Sequence, residues 1–217
     1  MASIFDLFKQ IGSQNAPAAA AGPVSFLIAG LGNPGPRYEH TRHNMGFLAL
    51  DRIADKTGVR VNAARFHALC ADCVIEGVRV LLMKPQTLMN ASGTAVREAA
   101  AFYHLPPENI IVISDDISLA PGQMRVRRRG SCGGHNGLRN IIDQLGSDAF
   151  PRVRIGVGQK PPDWDLADWV LAPLPAADRD AALACAEDAF PACSLILTGH
   201  IDDAMSRFNK RAGSADS

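Results

Sequence analysis

Two short runs, Ser25-Phe26-Leu27-Ile28-Ala29 and Ile110-Ile111-Val112-Ile113-Ser114, carry no charge and almost no polar side chain. Each is too short to stand as a helix and stops at a turn or acidic residue, Gly30 and Asp115. Such runs read as strands buried on both faces, and a sheet built from them needs helices on either side. The segments between supply those helices. Asn44 to Thr57 carries apolar residues near helical spacing and stops at Gly58; Ser92 to His104 is Ala-rich and closed by Pro106-Pro107.

Ala68–Ile75 and Val78–Met83 flank Glu76-Gly77 and predict an antiparallel hairpin. Gln123–Arg129 and Val153–Val157 read as further strands, and Leu138–Leu145, Asp165–Leu171, Ala176–Leu197 (bent or broken at Pro191) and Ile201–Arg211 as helices. The pattern predicts an α/β fold: a single-domain three-layer sandwich with a mixed, mostly parallel central sheet flanked by helices. Residues 1–23 read as a mobile extension, with Ile4, Phe5, Leu7, Phe8 and Ile11 at helical spacing and an Ala-rich linker from Pro17 to Pro23. Residues 24–211 form the folded domain, and 212–217 a disordered tail.

The chain has 217 residues, ample for one core, and its 22 basic and 22 acidic residues cancel. That excludes a globally basic nucleic-acid coat. The balance is uneven along the chain. Between Ala120 and Lys160 eight basic residues (Arg125, Arg127, Arg128, Arg129, Arg139, Arg152, Arg154, Lys160) face two acidic ones, and the stretch after Pro161 is acidic. Either the basic segment meets an anionic ligand or it is a solvated surface paired with the acidic tail. No run is long and apolar enough to span a membrane, and Met1–Gln10 does not read as a secretory signal. Five cysteines, an odd number, read as free thiols of a reducing cytosol.

Several polar clusters sit at element boundaries. Gly30-Leu31-Gly32-Asn33-Pro34-Gly35 fits a dinucleotide-binding glycine spacing, but two prolines and a polar run follow where a helix should open, so it reads better as a tight loop presenting Asn33. In Thr41-Arg42-His43-Asn44, His43 can serve as a general base or as a helix-end histidine. Asp115, at the carboxyl end of its strand, can orient an imidazole or form a turn. Asn90 and Asn136 can cap the helices they precede or offer amides to a ligand. Cys70, Cys73, Cys132 and His135 have the makings of a zinc site, against which stands a pair of cysteines on one strand. Together, three asparagines, one His and one Asp, with no serine or cysteine in a nucleophile-elbow context, fit hydrolysis of an activated acyl group by water.

These motifs, with Lys84-Pro85-Gln86-Thr87-Leu88-Met89-Asn90-Ala91-Ser92-Gly93, Asp115-Asp116, Gly133-Gly134-His135-Asn136-Gly137 and Arg152-Val153-Arg154-Ile155-Gly156-Val157-Gly158, stand in the order found in bacterial-type peptidyl-tRNA hydrolases, which the chain resembles over about residues 25–210. The resemblance implies cleavage of the ester joining a peptide to the 3′ ribose of tRNA, with no metal and no cofactor, by a cytoplasmic monomer. It implies His43 as the base that activates water, Asp115 as its orienting partner and Asn33 at the oxyanion. Tyr38, Met89, Asn90 and Asn136 would bind the substrate, and Arg125, Arg127 and Arg154 the tRNA phosphate, with Arg128 and Arg129 adding contacts. A non-catalytic RNA-binding relative of the same fold is the alternative. Ser118 and Cys132 depart from the family pattern, and the extension 1–23 has no counterpart in its core.

Overall fold

A computed structural model describes residues 22–209. The predicted N-terminal helix, most of the predicted linker from Pro17 to Pro23, the tail 212–217 and the end of the last predicted helix lie outside them. Seven strands, β1 (Phe26–Gly30), β2 (Ala63–Arg65), β3 (Ala68–Ile75), β4 (Val78–Pro85), β5 (Ile110–Asp116), β6 (Met124–Arg127) and β7 (Arg152–Gly156), form one sheet in the order β2-β3-β4-β1-β5-β7-β6. Strands β4, β1, β5 and β7 run parallel, while β3 and β6 run against their neighbours. The helices are α1 (Met45–Thr57), α2 (Ser92–Tyr103), α3 (Asn136–Leu145), α4 (Leu166–Leu171), α5 (Ala176–Glu187), α6 (Ala189–Leu197) and α7 (Ile201–Phe208).

Strand alternation explains why β1 and the Ile110–Ile113 part of β5 are apolar throughout. Ile28, Ile111 and Ile113 enter a core shared with Leu50 and Ile53 of α1 and with α5, α6 and α7. Leu27, Ala29, Ile110 and Val112 enter the opposite core, with Val96 and Ala99 of α2 and Leu138 and Ile141 of α3. The result is the expected three-layer α/β domain.

The turn Glu76-Gly77 has both residues at positive φ, as a two-residue hairpin requires. A second turn of this kind, Phe66-His67, joins β2 to β3. Neither it nor β2 was legible, because Ala-Ala-Arg does not alternate and the turn lacks Gly and Asn. Tertiary contacts impose it: Phe66 packs on Phe102 and Tyr103 at ring distances of 5.3 and 5.9 Å, and Gln86 N–H donates to the His67 carbonyl. The late helix breaks at Asp188 rather than Pro191. Pro191 falls in the first turn of α6, where a missing N–H costs nothing.

One close approach sets the site. Gly46, at the start of α1, lies so near the ends of β1 and β5 that a Cβ there would come under 3.0 Å from the Ile113 carbonyl and from Leu31 N and O. The residues just before it, His43 and Asn44, are therefore set down on the carboxyl ends of the strands.

Candidate active site

At the carboxyl end of β5, Asp115 is almost fully buried, and its Oδ1 lies 2.9 Å from His43 Nδ1 and 3.0 Å from His135 Nε2. The tautomers follow from the surrounding bonds. His135 Nδ1 accepts the Leu138 N–H at 3.2 Å, capping α3, so its Nε2 carries the proton and donates to Asp115. His43 donates its Nδ1 proton to the same oxygen, which leaves Nε2 with a free lone pair. The three side chains could in principle hold a metal ion, their ligand atoms lying within 4.8 Å of one another. In these tautomers both imidazole nitrogens on that side bear protons and offer a cation no lone pair.

Burial disfavours the imidazolium of His43, but the Asp115 charge and the hydrogen bond to it outweigh this and raise the His43 pKa. For Asp115, burial also opposes the charge, and the two imidazoles more than compensate, holding the carboxylate well below its usual range. The signs for stability are opposite. The His43 contribution is full below the ordinary imidazole pKa and is lost as pH rises through the raised folded value. The Asp115 contribution is present above the ordinary carboxylate pKa and is lost on acidification.

Asn33, on the loop after β1, is held by both its groups. Its backbone N–H donates to Asn44 Oδ1 at 2.8 Å, and its carbonyl accepts from Asn44 Nδ2 at 2.9 Å. Its Oδ1 accepts the Met89 N–H at 2.8 Å, so the amide NH2 is the group left to project outward. A cavity of about 480 Å³ receives these groups. Asn33, Tyr38, His43, Asn90, Asp115, His135, Asn136 and Arg154 line it together with Leu88, Met89, Ile117 and the α4 residues Leu166, Val170 and Leu171. Asn90 and Asn136 are exposed, and neither side chain bonds another described residue. The cap of α3 is His135, one residue before Asn136, which frees the Asn136 amide.

The sequence of residues 27–215 matches the family model described as Peptidyl-tRNA hydrolase. The chain belongs to this family. It is 49% identical over 185 residues to the peptidyl-tRNA hydrolase of Agathobacter rectalis, spanning 85% of this chain and 100% of that protein. Identity to the peptidyl-tRNA hydrolase of Lachnoclostridium phytofermentans is 50% over 186 residues, 86% and 97% of the two chains. The crystal structure of peptidyl-tRNA hydrolase from Acinetobacter baumannii superposes with a TM-score of 0.81 at 34% identity, covering 87% of this chain and 97% of that one.

Among the residues expected from the peptidyl-tRNA hydrolase resemblance, His43, Asp115, Asn33, Tyr38, Met89, Asn90, Asn136 and Arg154 share the cavity, while Arg125 and Arg127 lie outside its lining. Arg125 stands opposite Arg154 across β6 and β7, and Arg127 opposite Arg152. Burial, then the charges of Arg125 and Arg154, lowers the Arg127 pKa, as expected for clustered cations. Arg152, counted in the basic segment, is buried; it donates to the Ser131 and Asp148 carbonyls and cannot meet a ligand. Arg128 pairs with Asp202. The zinc alternative does not assemble: Cys70 and Cys73 point into opposite cores, and burial pushes both thiols up to about 11.

Sequence reasoning missed three supporting residues of this family member. From the sequence His135 reads only as a zinc ligand, although its place beside Asn136 is the available signal. Asn44 reads as the edge of a helix, and nothing in its spacing announces the paired bonds to Asn33. Asp116 ends the same strand as Asp115; its Oδ1 accepts the Ser118 N–H and hydroxyl at 2.8 and 2.7 Å, and its Oδ2 lies 3.0 Å from Arg154 Nε. Ser118 thus has a role in holding Asp116.

Proposed function

We propose that this member of the peptidyl-tRNA hydrolase family cleaves the ester between a peptide and the 3′ ribose of tRNA, with water as nucleophile and His43 Nε2 as its base. The proton of water passes to Nε2 as the oxygen attacks the ester carbonyl, and as the intermediate collapses the C–O bond to the ribose breaks and the ribose oxygen takes that proton back from the His43 imidazolium. The observation that carries this reading is the Asp115–His43 hydrogen bond, which fixes the tautomer with a basic Nε2 and supports the imidazolium that forms. No described residue lining the cavity is Ser, Thr, Cys or Lys, so no hydroxyl, thiol or amine of those types stands beside His43 to take the place of water. Asn33, with Oδ1 already engaged by Met89, aims an NH2 suited to a developing oxyanion. Asn90 and Asn136 bring free amides that read a peptide backbone without reading its side chains. Tyr38 and Met89 line the groove beside them.

Arg125, Arg127 and Arg154 are proposed to grip a tRNA phosphate. Arg127→Ala is expected to weaken tRNA binding and to reduce the slope of log K against log salt by about 0.7–0.9, one phosphate contact. A salt titration of both proteins checks this, and an unchanged slope would turn the arginines toward another partner. The reading assigns the enzyme to the cytoplasm, where its substrate is made, and, as the family resemblance implies, to a monomer. No described helix is long and apolar enough to cross a membrane.

The direct test compares an N-blocked aminoacyl-tRNA with the unblocked form. Release from the blocked substrate alone supports the reading; salt-dependent tRNA binding without release would leave the RNA-binding alternative. A pH profile adds to it. Because the folded His43 pKa is raised, the acid limb of kcat/KM should have its midpoint above about 6.5, the ordinary imidazole value. Asp115→Asn should move that midpoint downward along with the rate. A midpoint indifferent to Asp115 would remove His43 from the role of base.

A further inference from the structure

We infer that Arg42 is a positioning residue that ties the α4 wall of the cavity down beside His43 and so sets how tightly the peptide portion of the substrate is held, an inference that rests on the function proposed above. Arg42 is only 3% exposed, yet among the described residues no carboxylate lies within ion-pair distance, the charge of Asp178 acting on it only from farther off. Its partners are carbonyls. Nη1 lies 3.4, 3.2 and 3.0 Å from the oxygens of Trp169, Ala172 and Pro173, at the carboxyl end of α4, where a cation is favoured by the helix dipole. The guanidinium carbon stands 3.5 Å from the centre of the Trp169 ring. The backbone follows: Arg42 N–H donates to Ala172, Leu174 N–H donates to His40, and Thr41 forms an isolated bridge with Pro173.

The wall has little else to hold it. α4 is six residues long and buries one side chain, Val170, while Leu166 and Leu171 are each 39% exposed where they face the cavity. Trp169, which anchors it further through Nε1 to the Gly158 carbonyl, is the same ring on which Arg42 stacks. The residue that holds the wall is thus the chain neighbour of the proposed base, so wall and base keep a fixed relation. A lysine is no substitute for it, because an ammonium cannot lie as a plane on the Trp169 ring.

The test uses the full chain, Arg42→Lys and Trp169→Leu, the second covering the case in which the first does not fold. Hydrogen exchange of the backbone amides of residues 165–174 should rise about tenfold in each variant with α1 and β5 unchanged, and KM for an N-acetylated oligopeptidyl-tRNA should rise about tenfold with kcat within about threefold. Uniformly faster exchange with KM unmoved would make Arg42 a general stabiliser and overturn the inference, as would unchanged exchange at 165–174. Should the wild type release no peptide, the function above fails; exchange and the Kd of an amide-linked, uncleavable peptidyl-tRNA analogue still decide the tether.

Discussion

His43→Ala is expected to slow ester cleavage by ~10² or more while leaving tRNA affinity nearly intact, because a general base acts on the reacting proton and not on the bound phosphate. Steady-state hydrolysis of an N-blocked aminoacyl-tRNA, with binding measured in parallel, checks both halves. The substitution also removes one of the two imidazoles that satisfy Asp115, so a melt belongs beside the assay; loss of rate in a protein that still melts cooperatively isolates the chemistry. His135 cannot stand in, since its Nε2 is committed to Asp115 and its Nδ1 to the Leu138 N–H. A variant with near wild-type turnover would sink the assignment of His43.

Gly46→Ala is the second large effect, and here the quantity lost is stability. Two influences oppose each other. Alanine is favoured over glycine inside a helix by about 1 kcal/mol. Against that, the new methyl would fall under 3.0 Å from three backbone atoms of Leu31 and Ile113, none of which can rotate away. Overpacking of this kind costs about 3 kcal/mol or more, and the clash wins. The net loss of about 2 kcal/mol is roughly 4–8 °C in Tm for a chain of this size, a sizeable share of a total stability of about 5–15 kcal/mol. A thermal melt within about 2 °C of wild type would show that α1 can rise off the sheet at little cost.

The parts of this fold that the sequence announces are those where one local rule decides. Apolar continuity marks β1 and β5, Glu76-Gly77 marks the hairpin, and Gly58 and Gly146 end α1 and α3 in left-handed caps. What stays hidden depends on contacts between distant segments. The Phe66-His67 turn owes its geometry to α2, and Arg152 reads as surface charge until its carbonyl partners are seen. The site divides in the same way. His43, Asp115 and the three asparagines were visible as polar residues at element ends, and the family resemblance supplied their roles. His135, Asn44 and Asp116 act through hydrogen bonds across the fold, and no spacing rule reports those. The zinc alternative failed for a reason stated in strand geometry: side chains three apart on one strand face opposite ways.

The position of β1 bears on how the chain acquires its activity as it is made. The first strand of the described residues sits in the middle of the sheet, between β4 and β5. During synthesis it has no neighbour until Val80 to Met83 emerge and lacks its second until Ile110 to Ile113 follow. The hairpin of β3 and β4, by contrast, closes locally and early. The Asn33 loop and His43 therefore remain unordered relative to Asp115 until most of the chain is out, and His135 arrives later still. A nascent copy of this enzyme has no means of attacking the ester that tethers it to its own tRNA until the central strand has been enclosed.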